Sequence, residues 1–273
     1  MDRTYVVTGA ASGIGAATAR YLKERGGRVI GCDLREAQAI DVIADLATPA
    51  GRAALVEGVA RMSGGNIDGI VANAGGGPPQ TSIQVNFFGA VATLEGLRPL
   101  LKASAAPRAI AVSSIASLSP VDPALVDACL SMDEARALDA AWKFAAKDGP
   151  IESLKPEEAG RIGLALYSNA KHALNCWCRR AAASPQWAGE GIIMNVAAPG
   201  FIDTPAAAYI LSNKELSTSM ERMVPMRGVY PARPEQMAAI LAWCVSAENS
   251  LMTGQVLFVD GGVECVQRGE RAW

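Results

Sequence analysis

Short apolar runs alternate along this chain with longer segments in which apolar residues recur every three or four positions. The short runs indicate buried strands, and the segments with a helical period indicate the helices that connect them. Strands are predicted at residues 4–8, 28–32, 41–44, 69–72, 108–113, 192–196 and 255–259. Helices are predicted at about 13–25, 48–61, 82–102 and 234–246, and in a segment that ends near 183. The alternation favours one α/β domain over residues 1–273, built on a Rossmann-like, doubly wound parallel sheet of seven strands.

A helical insertion interrupts this alternation between about 119 and 160, where apolar residues keep helical spacing among many acidic residues. Its first helix is predicted to start at Asp122-Pro123, and Ser131-Met-Asp-Glu134 predicts a capping box that opens the second. The predicted apolar stripe contains Leu125, Cys129, Met132, Leu138 and Trp142, and the predicted far boundary is formed by Gly149-Pro150 and Lys155-Pro156.

A second departure lies between about 201 and 230, where the chain is rich in Ser, Met, Pro and polar residues. This composition predicts a mobile lid over a substrate site. Soft apolar side chains would line the lid and suit an apolar, ring-bearing substrate; they are Tyr209, Met220, Met223 and Met226.

Composition narrows the classes of protein. The chain is 50% hydrophobic and 19% charged, which predicts a sizeable buried core, and its net charge of −2 without a basic block argues against nucleic acid or an anionic membrane as partner. No apolar run approaches the roughly 20 residues of a membrane span, and the first strand starts too near Met1 for a cleaved signal. Six cysteines without a CxxC pair predict free thiols in a reducing cytoplasm. The single histidine, His172, excludes zinc sites built on several histidines, and no metal is predicted.

A glycine-rich turn, Gly9-Ala-Ala-Ser-Gly13-Ile-Gly15, joins the first predicted strand to the first helix. In that setting the backbone amides at the helix N-terminus can hold a pyrophosphate, and the glycines allow a tight turn and close approach. An ordinary strand–helix turn is the alternative.

An acidic residue, Asp33, ends the second strand, where dinucleotide-binding folds place a carboxylate against the adenosine ribose hydroxyls. Its charge would repel a 2′-phosphate, and positions 12 and 34 hold Ser and Leu, which offer no basic side chain to bind that phosphate. NAD is therefore favoured over NADP. Arg35 is the nearest basic residue, and a solvated strand end is the alternative.

Tyr167 and Lys171 lie four residues apart and therefore on one helix face. A neighbouring cation is expected to lower the tyrosine pKa and to suit it for general acid–base work, although this pair also occurs on solvated helix faces. Ser113 and Ser114 end a parallel strand at the edge where such sheets bind ligands, but serines also cap loops. Asn86 is unfavourable inside a helix, which indicates either a kinked, hydrated helix or chance.

Taken in order along the chain, these motifs resemble the short-chain dehydrogenase/reductase family. The resemblance covers essentially the whole chain and is carried by Thr8-Gly9-x3-Gly13-x-Gly15, Asn73-Ala-Gly75, Asn86, Ser114, Tyr167-x3-Lys171 and Pro199-Gly200-x3-Thr204. It implies that Tyr167 gives or takes the proton, that Ser114 hydrogen-bonds the substrate oxygen, and that Asn86 anchors a water-linked relay. It also implies that Lys171 binds the nicotinamide ribose and lowers the Tyr167 pKa.

The same resemblance implies how the cofactor would be bound. Asp45 with Leu46 would contact adenine, Asn73 and Gly75 would line the cleft, and Ile202 with Thr204 would hold the nicotinamide carboxamide. The implied cofactor-binding residues are Gly9, Ser12, Gly13, Ile14, Gly15, Asp33, Leu34, Asp45, Leu46, Asn73, Ala74, Gly75, Tyr167, Lys171, Pro199, Gly200, Ile202 and Thr204.

Two spacings are unusual: 53 residues separate Ser114 from Tyr167, and the loop between Asn73 and Asn86 is short. In these features the chain resembles bacterial 3α-hydroxysteroid dehydrogenase/carbonyl reductases and coniferyl-type aryl-alcohol dehydrogenases. The resemblance implies an NAD-dependent oxidoreductase for an apolar, ring-bearing alcohol or ketone; the alternatives are an aryl-alcohol dehydrogenase and a non-catalytic NAD sensor. An enoyl reductase, a sugar epimerase and a hydrolase using Ser114 with His172 are disfavoured. Family members commonly form tetramers, and the insertion is expected to restrict this chain to a homodimer.

Overall fold

The computed structural model describes residues 3–146 and 155–272 and contains a parallel sheet of seven strands in the order β3-β2-β1-β4-β5-β6-β7. Seven predicted strands are confirmed, although β3 is shorter than expected and β6 continues to Pro199. The strands are β1 (Thr4–Thr8), β2 (Arg28–Asp33), β3 (Val42–Ile43), β4 (Gly69–Ala72), β5 (Arg108–Val112), β6 (Ile193–Pro199) and β7 (Val256–Val259).

Helices cover both faces of the sheet, as the predicted doubly wound fold requires. Successive β1 residues point to opposite cores: Val6 packs in the larger cluster, and Val7 packs in the smaller one, which includes residues of α1 and α9. The helices are α1 (Gly13–Glu24), α2 (Pro49–Ser63), α3 (Ala90–Leu97), α4 (Pro123–Leu130), α5 (Glu134–Ala145), α6 (Pro156–Ala182), α7 (Ala208–Ser212), α8 (Lys214–Arg222), α9 (Pro234–Cys244) and α10 (Val263–Arg268).

The strand order places a switch point between β1 and β4. From β1 the chain builds outwards to β2 and β3, and it then returns to add β4 on the other side of β1. The connections leaving β1 and β4 therefore diverge at the carboxyl edge of the sheet, and ligands of open α/β sheets bind in the crevice so formed.

The helix predicted at 82–102 is irregular. A π-helical segment, Gln84–Gly89, precedes α3, and a 3₁₀ turn, Arg98–Leu101, follows it. Asn86 lies inside the π-helical segment, where its side-chain amide donates to the Ser82 carbonyl at 2.9 Å. An asparagine that competes for backbone groups thus lies within the irregular segment.

Two helices of the insertion are confirmed, but the predicted capping box is wrong. Asp133 is the N-cap of α5, where its carboxylate accepts the amide of Arg136 at 3.0 Å. Ser131 instead ends α4, and its hydroxyl donates to the Ala128 carbonyl. Met132 between them has a φ of 60°, and this left-handed turn delivers the carboxylate of the next residue to the first turn of α5.

The insertion packs into the main core through only part of its predicted stripe. Leu125 and Cys129 are buried there and Leu138 is partly buried, but Met132 and Trp142 are exposed. Helix α6 begins at Pro156 with Lys155 as its N-cap, which confirms the boundary predicted at Lys155-Pro156, while Gly149-Pro150 lies outside the described residues.

The predicted lid folds as a 3₁₀ turn with two short helices, α7 and α8. Its two ends are joined, because Ile202 bridges Ala232 and the amide of Asp203 donates to the Ala232 carbonyl at 2.8 Å. A last short helix, α10, was not predicted. None of the described helices is long and apolar enough to cross a membrane, and all six cysteines are free thiols.

Candidate active site

The glycine turn after β1 leaves the start of α1 open. Gly9 and Gly13 have positive φ angles of 70° and 53°, and a Cβ on Gly15 would lie 2.1 Å from the Gly9 carbonyl oxygen. Ser12 is the N-cap of α1, yet its side chain makes no capping hydrogen bond. Because no side chain caps the first backbone amides of α1, they can receive an anionic group.

Asn73 braces this turn from the end of β4. Its backbone amide donates to Thr8 Oγ1 at 3.0 Å, and its side-chain Nδ2 donates to the Thr8 carbonyl at 3.0 Å. The amide of Ala74 shares the same hydroxyl acceptor, and a Cβ on Gly9 would lie 2.8 Å from Asn73 Nδ2. Asn73 therefore holds the two diverging strand ends together at the switch point.

Asp33 links the end of β2 to the glycine turn. One carboxylate oxygen accepts the Ala11 amide at 3.0 Å, and the other accepts the Arg35 amide at 3.0 Å. Leu34 is 60% exposed at the rim. The half-buried carboxylate is thereby fixed beside the anion-binding turn, at one end of the crevice.

The predicted adenine contacts follow β3. Asp45 accepts the Ala47 amide at 3.0 Å and shapes a tight turn, while Leu46 is buried. A Cβ on Gly89 would lie 2.9 Å from Leu46 Cβ, so this leucine packs against the segment that carries Asn86.

The loop at residues 199–204 closes over the glycine turn. A Cβ on Gly200 would lie 2.7 Å from the backbone of the turn after β7, and Ile202 is buried at the joined base of the lid. A Cβ on Gly13 would lie 3.1 Å from the Thr204 side chain, so this loop and the anion-binding turn are in direct contact.

Lys171 is buried between Tyr167 and the sheet. Only 2% of the residue is exposed, and its ammonium donates to the Val112 carbonyl at 2.8 Å and lies 5.6 Å from the centre of the Tyr167 ring. Burial lowers the pKa of Lys171 to about 8.

The expectation that Lys171 lowers the Tyr167 pKa is wrong for this structure. Burial raises the pKa of Tyr167, and a hydrogen bond with the Ser114 hydroxyl opposes that rise. The lysine is itself desolvated and bound to a backbone carbonyl, and burial is the largest cause of the change in the Tyr167 pKa.

The structure separates the two serines at the end of β5. Ser113 is buried, and its hydroxyl donates to the backbone carbonyl of Lys171 at 3.3 Å. Ser114 is the N-cap of a 3₁₀ turn, Ile115–Leu118, and its hydroxyl oxygen accepts the Ala116 amide at 3.1 Å while also bonding Tyr167. Ser114 is the partly exposed serine beside the phenol.

Asn86 and Lys171 meet at Gly75. The Asn86 side chain accepts the Gly76 amide at 2.9 Å and donates to the Gly76 carbonyl at 3.1 Å. A Cβ on Gly75 would lie 2.9 Å from Asn86 Oδ1 and 3.3 Å from Lys171 Nζ. The loop after β4 therefore brings Asn86 to the same site as Lys171 and Tyr167.

Known proteins share this architecture along its full length. The sequence models described as short chain dehydrogenase and Enoyl-(Acyl carrier protein) reductase match residues 3–126 and 150–264. A 3-alpha-hydroxysteroid dehydrogenase/carbonyl reductase of Comamonas testosteroni is 34% identical over 96% of this chain and 97% of its own. The chain belongs to the short-chain dehydrogenase/reductase family. Cis-4-hydroxycyclohexanecarboxylate dehydrogenase of Sinomonas cyclohexanicum is 32% identical over 97% of this chain and 98% of its own.

A solved member of the family has the same fold. It is the 3-alpha-hydroxysteroid dehydrogenase from Pseudomonas sp. B-0831, solved in complex with NADH. Its sequence is 35% identical to this chain, and the two structures superpose with a TM-score of 0.79 over 98% of this chain and 99% of that one. Short-chain dehydrogenases/reductases are oxidoreductases that use a nicotinamide cofactor. The residues present here fit one, since the uncapped amides of α1 face a crevice whose glycines leave no room for side chains.

His172 takes no part in the short-chain dehydrogenase/reductase site. Its Nδ1 lies 3.1 Å from the Ser117 carbonyl oxygen, and interaction with the Cys176 thiol is the largest cause of its raised pKa. The disfavoured Ser114–His172 hydrolase pair is therefore not formed. Within residues 3–146 and 155–272, no group of three or more His, Cys, Asp or Glu side chains could hold a metal.

Sequence reasoning missed the backbone partners of this site. The carbonyl of Val112 holds Lys171, and both backbone groups of Gly76 hold Asn86. Every residue but proline offers these backbone groups, so residue type carries no signal for them.

Proposed function

We propose that this protein is an NAD-dependent dehydrogenase or reductase that interconverts a secondary alcohol and a ketone on an apolar carbocyclic substrate. Two relatives support a carbocyclic alcohol as the substrate class, because their names specify a hydroxysteroid and a hydroxycyclohexanecarboxylate; the apolar character is proposed from the lid side chains. Both are ring alcohols, which favours an alicyclic substrate over the aryl-alcohol alternative.

The observation that carries the proposal is the buried Lys171, whose ammonium lies 5.6 Å from the centre of the Tyr167 ring, with Ser114 beside that phenol. The Tyr167 phenol would give a proton to a carbonyl oxygen or take one from an alcohol, and the Ser114 hydroxyl would orient that oxygen. Lys171 would bind the nicotinamide ribose, and Asn86, fixed to the loop after β4, would anchor the proton path. A protein that only senses a nucleotide has no use for this set.

The cofactor would lie along the carboxyl edge of the sheet, with its pyrophosphate at the glycine turn and the start of α1. Asp33 would bind the adenosine ribose, Asp45 and Leu46 would contact adenine, and Ile202 with Thr204 would hold the carboxamide. Bound there, the nicotinamide supplies or accepts the hydride of the reaction.

The proposed preference for NAD rests on Asp33. Its carboxylate is fixed by two backbone amides at the site where a 2′-phosphate would lie, so it opposes NADP by charge. Comparison of kcat/KM for the two cofactors tests this role. Equal values, or a higher value for NADP, would contradict it.

The proposed chemistry is tested with Tyr167→Phe and a panel of alicyclic and benzylic alcohols, followed by absorbance of the reduced cofactor. The variant should bind NAD within a few-fold of the original and lose about 10²–10⁴-fold in turnover, the usual value of general acid–base assistance. A loss below about tenfold would refute the role of Tyr167. Binding of NAD without turnover of any alcohol or ketone would favour the sensor instead.

A further inference from the structure

An ion pair joins the helical insertion to α2, the helix that follows the turn assigned to adenine. Arg52 on α2 donates to both carboxylate oxygens of Glu134, with Nη1 and Nη2 at 2.6 and 2.8 Å. Glu134 is the first residue of α5, the second insertion helix. The two side chains are 11% and 26% exposed, so the pair is largely withdrawn from water.

The same guanidinium holds the turn that follows β3. Arg52 Nε donates to the Leu46 carbonyl at 2.9 Å, and Nη2 donates to the Ala47 carbonyl at 3.2 Å. One planar group thus spans the turn assigned to adenine and a carboxylate of the insertion. A lysine could not do this, because only a guanidinium presents several donors in a fixed plane.

The turn is tightly packed on its other sides. A Cβ on Gly51 would lie 2.0 Å from the Asp45 carbonyl oxygen, and one on Gly89 would lie 2.9 Å from Leu46 Cβ. The Arg52 guanidinium also lies 5.8 Å from the centre of the Phe88 ring, in the π-helical segment. The position of the turn is otherwise set by α2 and the π-helical segment. Glu134 therefore adds a contact that fixes this turn from outside the dinucleotide-binding fold.

We propose that Arg52 and Glu134 are positioning residues for the adenine end of the cofactor, and that the insertion thereby contributes to nucleotide binding. This inference rests on the proposed function, in which Asp45 and Leu46 contact adenine. Arg52 acts through the two carbonyl groups it binds, and Glu134 acts by fixing the plane of the guanidinium.

Glu134→Gln tests the inference, because it removes the carboxylate and preserves the size of the side chain. Its dissociation constant for ADP-ribose, measured by calorimetry, and its KM for NAD should rise about fivefold or more, while kcat at saturating NAD stays within about twofold. If Glu134 had a purely structural role, Glu134→Gln would lower the melting temperature without raising the constants for ADP-ribose and NAD separately from kcat. The matched control is Asp139→Asn, which breaks the exposed Asp139–Lys143 pair on the same helix and should change neither constant.

Arg52→Lys is a second variant that keeps the positive charge and loses the fixed plane. It should also weaken the binding of ADP-ribose, and it can be measured even if Glu134→Gln proves too unstable to assay. An unchanged dissociation constant for ADP-ribose in a folded variant at either position would overturn the inference. Failure of the unmodified protein to bind NAD or ADP-ribose would refute the proposed function, and the two failures are therefore distinguishable.

Discussion

Replacement of Lys171 by Met should change how the stability of the free protein depends on pH. Methionine has a similar length and can occupy the same buried position, but it carries no ammonium and cannot donate to the Val112 carbonyl. The pKa of Lys171 is lowered from 10.5 to about 8, and at about 1.36 kcal/mol per unit this corresponds to about 3 kcal/mol against the charged form.

The sign follows from proton binding. Between pH 8 and 10.5 the unfolded chain keeps the Lys171 proton and the folded chain has released it, so the free energy of unfolding rises with pH. Below pH 8 both states are protonated and the full penalty applies. From pH 7 to pH 9.5 the lysine should contribute an increase of about 2 kcal/mol that Lys171→Met lacks.

Urea unfolding followed by tryptophan fluorescence at pH 7, 8, 9 and 9.5 measures this difference. The comparison must be made between the original protein and the variant, because the raised pKa values of Tyr167 and Cys178 reduce stability with rising pH in both proteins. Parallel curves for the two proteins would refute the reasoning. A steeper rise in the variant would show that the charged form is favoured in the fold.

Two further predictions concern glycines and assembly. Gly75→Ala should abolish most turnover, because its Cβ would lie 2.9 Å from Asn86 Oδ1 and 3.3 Å from Lys171 Nζ. Gly160→Ala on α6 should instead stabilise the fold by about 0.5–1 kcal/mol, because its Cβ would have nothing within 4 Å. Activity assays and thermal melts check both variants, and an active Gly75→Ala enzyme would contradict the first. The protein should elute as a homodimer in gel filtration with light scattering, because α4 packs on α6 and α5 on α4, which covers part of the surface through which tetramers would form. A stable tetramer whose interface includes Trp142 would exclude this shielding.

The sequence by itself determined the order of strands and helices and the positions of the motifs. Apolar runs such as residues 69–72 and the glycine turn at residues 9–15 specify local structure, because their periodicity and permitted φ angles depend on neighbours in the chain. Even the irregularity at Asn86 could be expected, since a side chain that competes for backbone groups acts within one helical turn. The predicted capping box at Ser131 failed at this same local scale, because one left-handed residue, Met132, moved the cap to Asp133.

Only the tertiary structure decided the electrostatics and the long-range contacts. The direction of the Tyr167 pKa depends on how completely the fold removes the phenol from water, and helix spacing cannot report that. The different surroundings of the two serines are also tertiary, since the Ser113 hydroxyl donates to the Lys171 carbonyl and Ser114 lies beside the Tyr167 phenol. The bond from Glu134 to Arg52 joins residues 82 positions apart, and such a contact exists only once the insertion has folded against α2.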